Sequence, residues 1–419
     1  MRITILAPGS RGDIQPYLGL GLGLKRAGHS VAVVTTMDHD ALVKRFGLEL
    51  FSVPVNVQAA LQRRGASAAV EGGGLIASFR ELTKIAARAS RLMAELALEA
   101  ARGADVIVVN FGGVYLGESL ARRLKRPLVQ AFNVPLTPTA AFPGVLVPRL
   151  DFGPRSRRLG HLLSRAAIWM TARGSLASTR KDVLGDERPV VLSSRFPGLV
   201  EGPVLYGYSP AFLPPGPEWG AGVEVTGTWF ADEPEGFEPP AALAEFLAAG
   251  PPPVCIGFGS MSMENPQATT ALVLEAVKAA GVRAVLLAGW GGLKADALPR
   301  EVLPLESAPH GWLYPKCSAV VHHGGAGTTA AALRAGVPAV VVPFHGDQFF
   351  WARRVHQAGT GPKPVLRKKL TARALAAALQ EATSNAGMLQ KARSLGEQVR
   401  AEDGVGRAVA AITRIARGE

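Results

Sequence analysis

Between Ser318 and Gln348 the chain runs SAVVHHGGAGTTAAALRAGVPAVVVPFHGDQ. These residue types suit an anion followed by a polyol. The run Gly324-Gly325-Ala326-Gly327 is too small and flexible for a strand, so the backbone must turn there. A glycine turn that opens a helix leaves backbone N–H groups aimed outward, and the helix dipole adds positive potential at the same point. His323 before the turn can donate a ring N–H, and Thr328 adds a hydroxyl in the first helical turn. His323, Gly325, Gly327 and Thr328 together suit a diphosphate. Past the next strand, Asp347 and Gln348 offer a carboxylate and an amide to the neighbouring hydroxyls of a sugar. The plain alternative is structural: a turn that only packs, with Asp347 as the N-cap of a helix over 348–357.

A second constellation, Gly9-Ser10-Arg11-Gly12-Asp13, follows the apolar strand expected over 2–7. An open parallel sheet places its ligands at such strand ends. Arg11 can meet a phosphate, Ser10 can hydrogen-bond one, and Asp13 is a carboxylate just before a helix expected over 16–27. Capping is the structural reading of Asp13. No G-x-G-x-x-G occurs at this turn, so a dinucleotide fingerprint is not supported. In GFGSM, Ser260 stands at a strand end and would reach a phosphate. Trp290 is placed beside a nucleobase or in plain packing. The Asp38-His39-Asp40 triplet opens a helix, where capping and dipole complementarity explain it, so no metal is assigned. Cys255 and Cys317 lack metal spacing and read as free core thiols.

HHGGAGTTAAALRAGVPAVVVPFHGDQFFWA, GSRGDIQPY and GFGSM resemble the family 1 glycosyltransferases of the GT-B fold. The likeness is strongest to sterol 3-beta-glucosyltransferases, with bacterial antibiotic-tailoring glycosyltransferases as close neighbours. It implies an α/β fold of two Rossmann-like domains whose parallel sheets face across a cleft. It puts Asp13 in the place of the catalytic base, where plant members carry His. Ser10, Arg11, Gly12 and Ser260 would join the donor-phosphate site, and backbone groups near Ala308 would hold the edge of a uracil or thymine. The implied reaction is inverting transfer of a hexose, glucose from UDP-glucose, to a hydroxyl of a sterol or other lipid alcohol. The alternative is an antibiotic, polyketide or flavonoid acceptor with a UDP- or TDP-sugar. The nucleotide sugar is a co-substrate, and no cofactor or metal is expected. An epimerase, a non-catalytic nucleotide binder and a nucleic-acid binder are the rival classes.

The elements that must position these residues are legible in outline. The 419 residues, 48% hydrophobic and 19% charged, suffice for two domains. An N-terminal acceptor domain is expected over 1–208, a proline- and glycine-crowded linker over 209–222, and a nucleotide-sugar domain over 223–419 whose closing helices cross back. Gly19, Gly21 and Gly23 are expected to let the first helix pack close to the sheet. The net charge of +13 lies wholly in residues 1–200, which hold 27 Lys+Arg against 14 Asp+Glu. Such a half suits nucleic acid, an anionic membrane surface or an acidic substrate. No nucleic-acid motif accompanies it. The N-terminus reads as a first strand rather than a signal peptide, and no apolar run spans a membrane, so the cytoplasm is expected. The basic amphipathic stretch 155–181 is expected to turn its apolar stripe, Leu159, Leu162, Leu163, Ala166, Ala167 and Met170, onto the core. Peripheral contact with an anionic bilayer is its other reading.

Overall fold

The computed structural model describes residues 1–55, 90–188, 198–232, 237–259, 265–288 and 298–419. They divide into two compact units. One comprises Met1–Pro210, Pro215–Ala231 and Asp403–Glu419, the other Ala211–Pro214 and Asp232–Glu402. Ser260, Trp290, the Gly72–Gly74 loop and the first half of the helix expected over 78–101 lie outside the described residues.

In the first unit, strands β1 (Arg2–Leu6), β2 (Ser30–Thr36), β3 (Glu49–Val53), β4 (Val106–Val109), β5 (Leu128–Phe132), β6 (Val204–Tyr206) and β7 (Val223–Val225) form one sheet in the order β3-β2-β1-β4-β5-β6-β7. Every pairing is parallel; Ile3, for example, sits opposite Val31 on one side and Val106 on the other. The strands RITIL, SVAVVTT and VIVV are apolar on both faces, as a sheet covered on both sides requires. From β1 the chain goes first toward β2 and later to β4 on the opposite side. The order therefore reverses beyond the ends of β1 and β4, the place where open α/β sheets bind ligands. Helices α1 (Arg11–Arg26), α2 (Asp40–Arg45), α3 (Val114–Leu124) and α4 (Pro154–Leu184) belong to this unit.

The second unit repeats the plan with β8 (Val254–Ile256), β9 (Ala284–Leu287), β10 (Val302–Leu305), β11 (Ala319–His322) and β12 (Ala339–Val341), ordered β10-β9-β8-β11-β12 and parallel throughout. Its reversal point falls between β8 and β11. Its helices are α5 (Ala241–Ala248), α6 (Pro266–Ala280), α7 (His310–Leu313), α8 (Ala326–Ala335), α9 (Gln348–Gln357), α10 (Ala372–Ser384) and α11 (Ala386–Ala401). Val273 and Val277 of α6 and Leu375 and Leu379 of α10 pack with Ile256, Val321 and Val340 of the sheet in one core. Thr371 caps α10, accepting from the Ala374 N–H at 3.1 Å. Cys255 and Cys317 are buried and unbridged.

The last helix, α12 (Gly404–Arg417), lies in the first unit. Its Ala408, Ala411 and Ile412 share a core with Ile3, Ile5, Leu20 and Leu24. The glycine face of α1 serves this contact as well as the sheet. A Cβ on Gly23 would stand 2.2 Å from Val405 Cγ1, whereas one on Gly21 would meet Leu48 and Val31.

Two expectations are corrected here. The stretch 209–222 is not a free linker. Ser209, Phe212 and Leu213 are buried, Phe212 stacks on Trp351 at 6.0 Å, and Trp219 Nε1 donates to the Pro138 carbonyl at 3.2 Å. Proline density reports backbone stiffness, but the apolar side chains among the prolines decide burial. The segment from 223, expected to begin the second domain, instead forms β7 at the edge of the first sheet, with Val225 opposite Tyr206. Trp229 follows it into the first core, 5.7 Å from the Tyr17 ring. The second correction concerns α4. It buries His161, Ser164 and Arg165 and exposes Leu159, Leu162, Leu163 and Met170, so the apolar row faces outward. The buried polar face is held in place. His161 Nε2 lies 3.1 Å from the Phe142 carbonyl, and the Ser164 hydroxyl accepts from the Leu146 N–H at 3.2 Å.

Candidate active site

Beyond β1 the chain passes Gly9, at φ +136°, and enters α1 earlier than its composition suggests. Asp13 is the third residue of that helix. The Ser10 N–H and hydroxyl both donate to its Oδ2 at 2.8 Å, forming a capping box. The capping role is therefore real. Oδ1 takes no hydrogen bond among the described residues. Burial raises the Asp13 pKa above the ordinary carboxylate value, while the two Ser10 bonds and the nearby His39 pull it down. Arg11 Nε donates to Gln15 Oε1 at 3.0 Å, so this basic side chain is partly engaged within the helix.

Side chains from three neighbouring strand ends hold this loop by its carbonyls. Asn110, buried just after β4, donates through Nδ2 to the carbonyls of Pro8 at 2.8 Å and Asp13 at 3.3 Å, and its Oδ1 accepts from the Gly113 N–H at 2.9 Å. Asn133, just after β5, reaches the Gly12 carbonyl at 3.3 Å. His39, buried after β2, sets Nε2 3.0 Å from the Gly9 carbonyl. A carboxylate so fixed and partly desolvated, with one oxygen uncommitted, is equipped to take a proton.

The second cluster lies beyond β11. Gly324 adopts φ +90°, and a Cβ there would meet Val341 Cγ1 at 2.7 Å. Gly325 is the N-cap of α8 and supplies no capping side chain, so the N–H groups of Ala326, Gly327 and Thr328 have no intrahelical acceptor. His322 at the strand end is buried; its Nδ1 accepts from the Gly324 N–H at 2.9 Å, which places its proton on Nε2. The ring of His323 stands close to two glycines. A Cβ on Gly325 would lie 2.5 Å from its Nε2 and one on Gly259 3.3 Å from its Cε1. Burial, helped by His345, pushes His323 down to about 4. It is therefore neutral at pH 7 and offers one N–H rather than a charge. Its Nδ1 is buried with no partner among the described residues.

Beyond β12, Asp347 Oδ2 accepts from Trp351 Nε1 at 3.0 Å, one helical turn on. It precedes α9 without making a side-chain cap. Gln348 is buried, and its Oε1 accepts from the Phe344 and His345 N–H groups at 2.8 and 3.1 Å. Ala308 lies half-buried in the loop after β10.

Residues 3–109 match the glycosyltransferase family 28 N-terminal domain, and residues 285–410 match the erythromycin biosynthesis protein CIII-like C-terminal domain. Sterol 3-beta-glucosyltransferase of Debaryomyces hansenii is 34% identical over 98% of this chain and 26% of its own length. That of Emericella nidulans is 36% identical over 99% of this chain and 30% of its own. The chain carries both of these family domains and shares the GT-B fold. It spans about a quarter to a third of the curated relatives it matches. Its fold is also that of the calicheamicin glycosyltransferase CalG4, with a TM-score of 0.69 and 20% identity over 100% of this chain and 99% of that one. The Streptomyces sp. SF2575 glycosyltransferase SsfS6, solved with thymidine diphosphate, gives a TM-score of 0.61 and 21% identity over 99% of each chain.

The first unit brings Ser10, Arg11, Gly12 and Asp13 together at the end of β1. The second brings His323, Gly325, Gly327, Thr328, Asp347 and Gln348 to the ends of β11 and β12. Asn110, Asn133, His39 and His322 are additions to the residues expected from sequence. Each stands at or just beyond the C-terminal end of a strand, a position that the runs DVIVVN, LVQAFN and AVVHH display.

Proposed function

We propose that this chain transfers a hexose, glucose from UDP-glucose, to a hydroxyl of a hydrophobic acceptor, a sterol or other lipid alcohol. The carrying observation is the 34–36% identity to sterol 3-beta-glucosyltransferases over nearly the whole chain. Asp13 Oδ1 takes the proton of the acceptor hydroxyl as its oxygen attacks the anomeric carbon. The bond to the diphosphate breaks on the opposite side, so the configuration inverts. The open N–H groups of α8, with Thr328 and one N–H of His323, receive the charge that develops on the leaving diphosphate. No metal is assigned to this step. Asp347 and Gln348 orient the sugar, and the backbone near Ala308 the base. A TDP-sugar is the second reading, favoured by the thymidine diphosphate held by a neighbour of the same fold.

The test is UDP release from UDP-glucose across a panel of sterols and other hydrophobic alcohols with EDTA present. Acceptor-dependent release that EDTA leaves unchanged is expected. Tight UDP binding without release from any acceptor would overturn the acceptor class, and release abolished by EDTA would overturn the metal-free step.

A further inference from the structure

Six of the nine large apolar side chains exposed among the described residues lie between Leu146 and Met170. Phe152, just before α4, is 85% exposed; on the helix, Leu159, Leu162, Leu163 and Met170 are 49, 41, 47 and 53% exposed. At 3.6 residues per turn these four fall within a sector of about 100°. The opposite sector carries Gly160, His161, Ser164 and Arg165, all buried. The helix is inverted: polar side chains face the protein and leucines face outward. Rotating it would break the His161 and Ser164 contacts to residues 142 and 146 and bury the exposed Arg155.

The charges around this row choose its partner. Arg155 lies in the same sector as the leucines, and Arg149 lies in the preceding loop; both are exposed and unpaired among the described residues. The neighbouring acids are taken: Asp151 pairs with Arg157 and Glu218 with Arg158. The charges left open at the row are therefore positive. A symmetric contact between two copies would bring these cations toward each other. An exposed aromatic, a leucine row and flanking arginines are what an interfacial helix presents to acidic headgroups.

We propose that the outward face of α4, headed by Phe152, rests on an anionic lipid bilayer. The leucines and Phe152 enter the boundary between headgroups and acyl chains, while Arg149 and Arg155 meet lipid phosphates. The inference goes beyond the proposed reaction and does not rest on it, since docking needs neither donor nor acceptor.

Flotation of the whole chain with vesicles tests it. Vesicles of phosphatidylcholine containing about one-third phosphatidylglycerol should carry the protein, and rising salt should release it. The double variant Leu159→Glu/Leu163→Glu should partition at least about tenfold more weakly, with UDP binding unchanged. Phe152→Ser, at a site so exposed that folding is not at stake, should weaken partition in the same direction. Arg155→Glu should reduce binding to the mixed vesicles and flatten its salt dependence. Absence of wild-type flotation, equal flotation on pure phosphatidylcholine, or full binding by both apolar variants would overturn the proposal. Loss of a dimer in the double variant, with no wild-type flotation, would assign the row to self-association instead.

Discussion

Asp13 Oδ2 accepts both hydrogen bonds from Ser10, so Oδ1 is the oxygen left to receive a proton. The two duties predict different outcomes for Asp13→Asn. Asparagine keeps a side-chain oxygen for Ser10 but cannot act as a base. Turnover is expected to fall by roughly 10²–10⁴ with little change in donor binding. Stability should move the other way. Burial raises the folded-state pKa of Asp13, so the native state holds this proton more readily than the unfolded chain. Its contribution is therefore lost as pH rises through the unfolded value toward the raised one, and at neutral pH the charge opposes folding. The melting temperature of Asp13→Asn at pH 7 should equal or exceed that of the parent. A variant that loses both activity and stability would show the carboxylate to be a structural cap alone. The sequence revealed Asp13 because a carboxylate after a first strand is conspicuous. It concealed His322, because a histidine at the end of an apolar strand shows no sign of which backbone N–H it will accept from.

At the scale of elements, three strand ends converge on one loop, and Asn110 makes the most contacts to it. Removing its amide leaves the Pro8 and Asp13 carbonyls and the Gly113 N–H without this partner. Asn110→Ala should therefore cost about 1–3 kcal/mol of stability. It should also lower kcat by a larger factor than it weakens UDP binding, read by calorimetry, because the α8 N–H groups, Thr328 and His323 proposed for the diphosphate belong to the other unit, and of this unit only Ser10, Arg11 and Gly12 were expected to join them. Weakened UDP binding with kcat intact would contradict this division. The strands were legible because buried parallel strands are continuous apolar runs. The sense of α4 was not. Periodicity locates a stripe, but whether it faces in or out depends on what His161, Ser164 and Arg165 meet, and those partners are set by residues 142 to 146. The boundary at 209–222 misled for a related reason: glycine and proline announce a change of direction, but the chain only touches the second unit at Ala211–Pro214 and returns to the first until Ala231.

For the molecule as a whole, buried neutral histidines set the response to acid. Burial pushes His161 and His323 down to about 4 and His322 well below the ordinary value. The unfolded chain binds these protons from about pH 6.5 downward and the folded chain only lower still, so stability should fall as pH drops from 6.5 toward 4. Each fully buried imidazole adds a slope of up to about 1.4 kcal/mol per pH unit. Urea midpoints at pH 7, 6 and 5 would measure it, and His161→Gln should make the decline shallower. A midpoint flat across that range would refute buried neutral imidazoles.

The placement of α12 also bears on how the chain is made. The first unit begins at Met1 but needs Asp403–Glu419, while Asp232–Glu402 is synthesised between its parts. At about 5–20 residues per second, translation of that intervening stretch takes on the order of ten seconds or more. Throughout that interval the nascent first unit has its α1 face bare where Val405, Ala408 and Ile412 will lie. The second unit is synthesised within that interval, and the first closes only after Asp403–Glu419 has followed it. The half synthesised first is thus the half finished last, and it is the half whose apolar surface chaperones would meet.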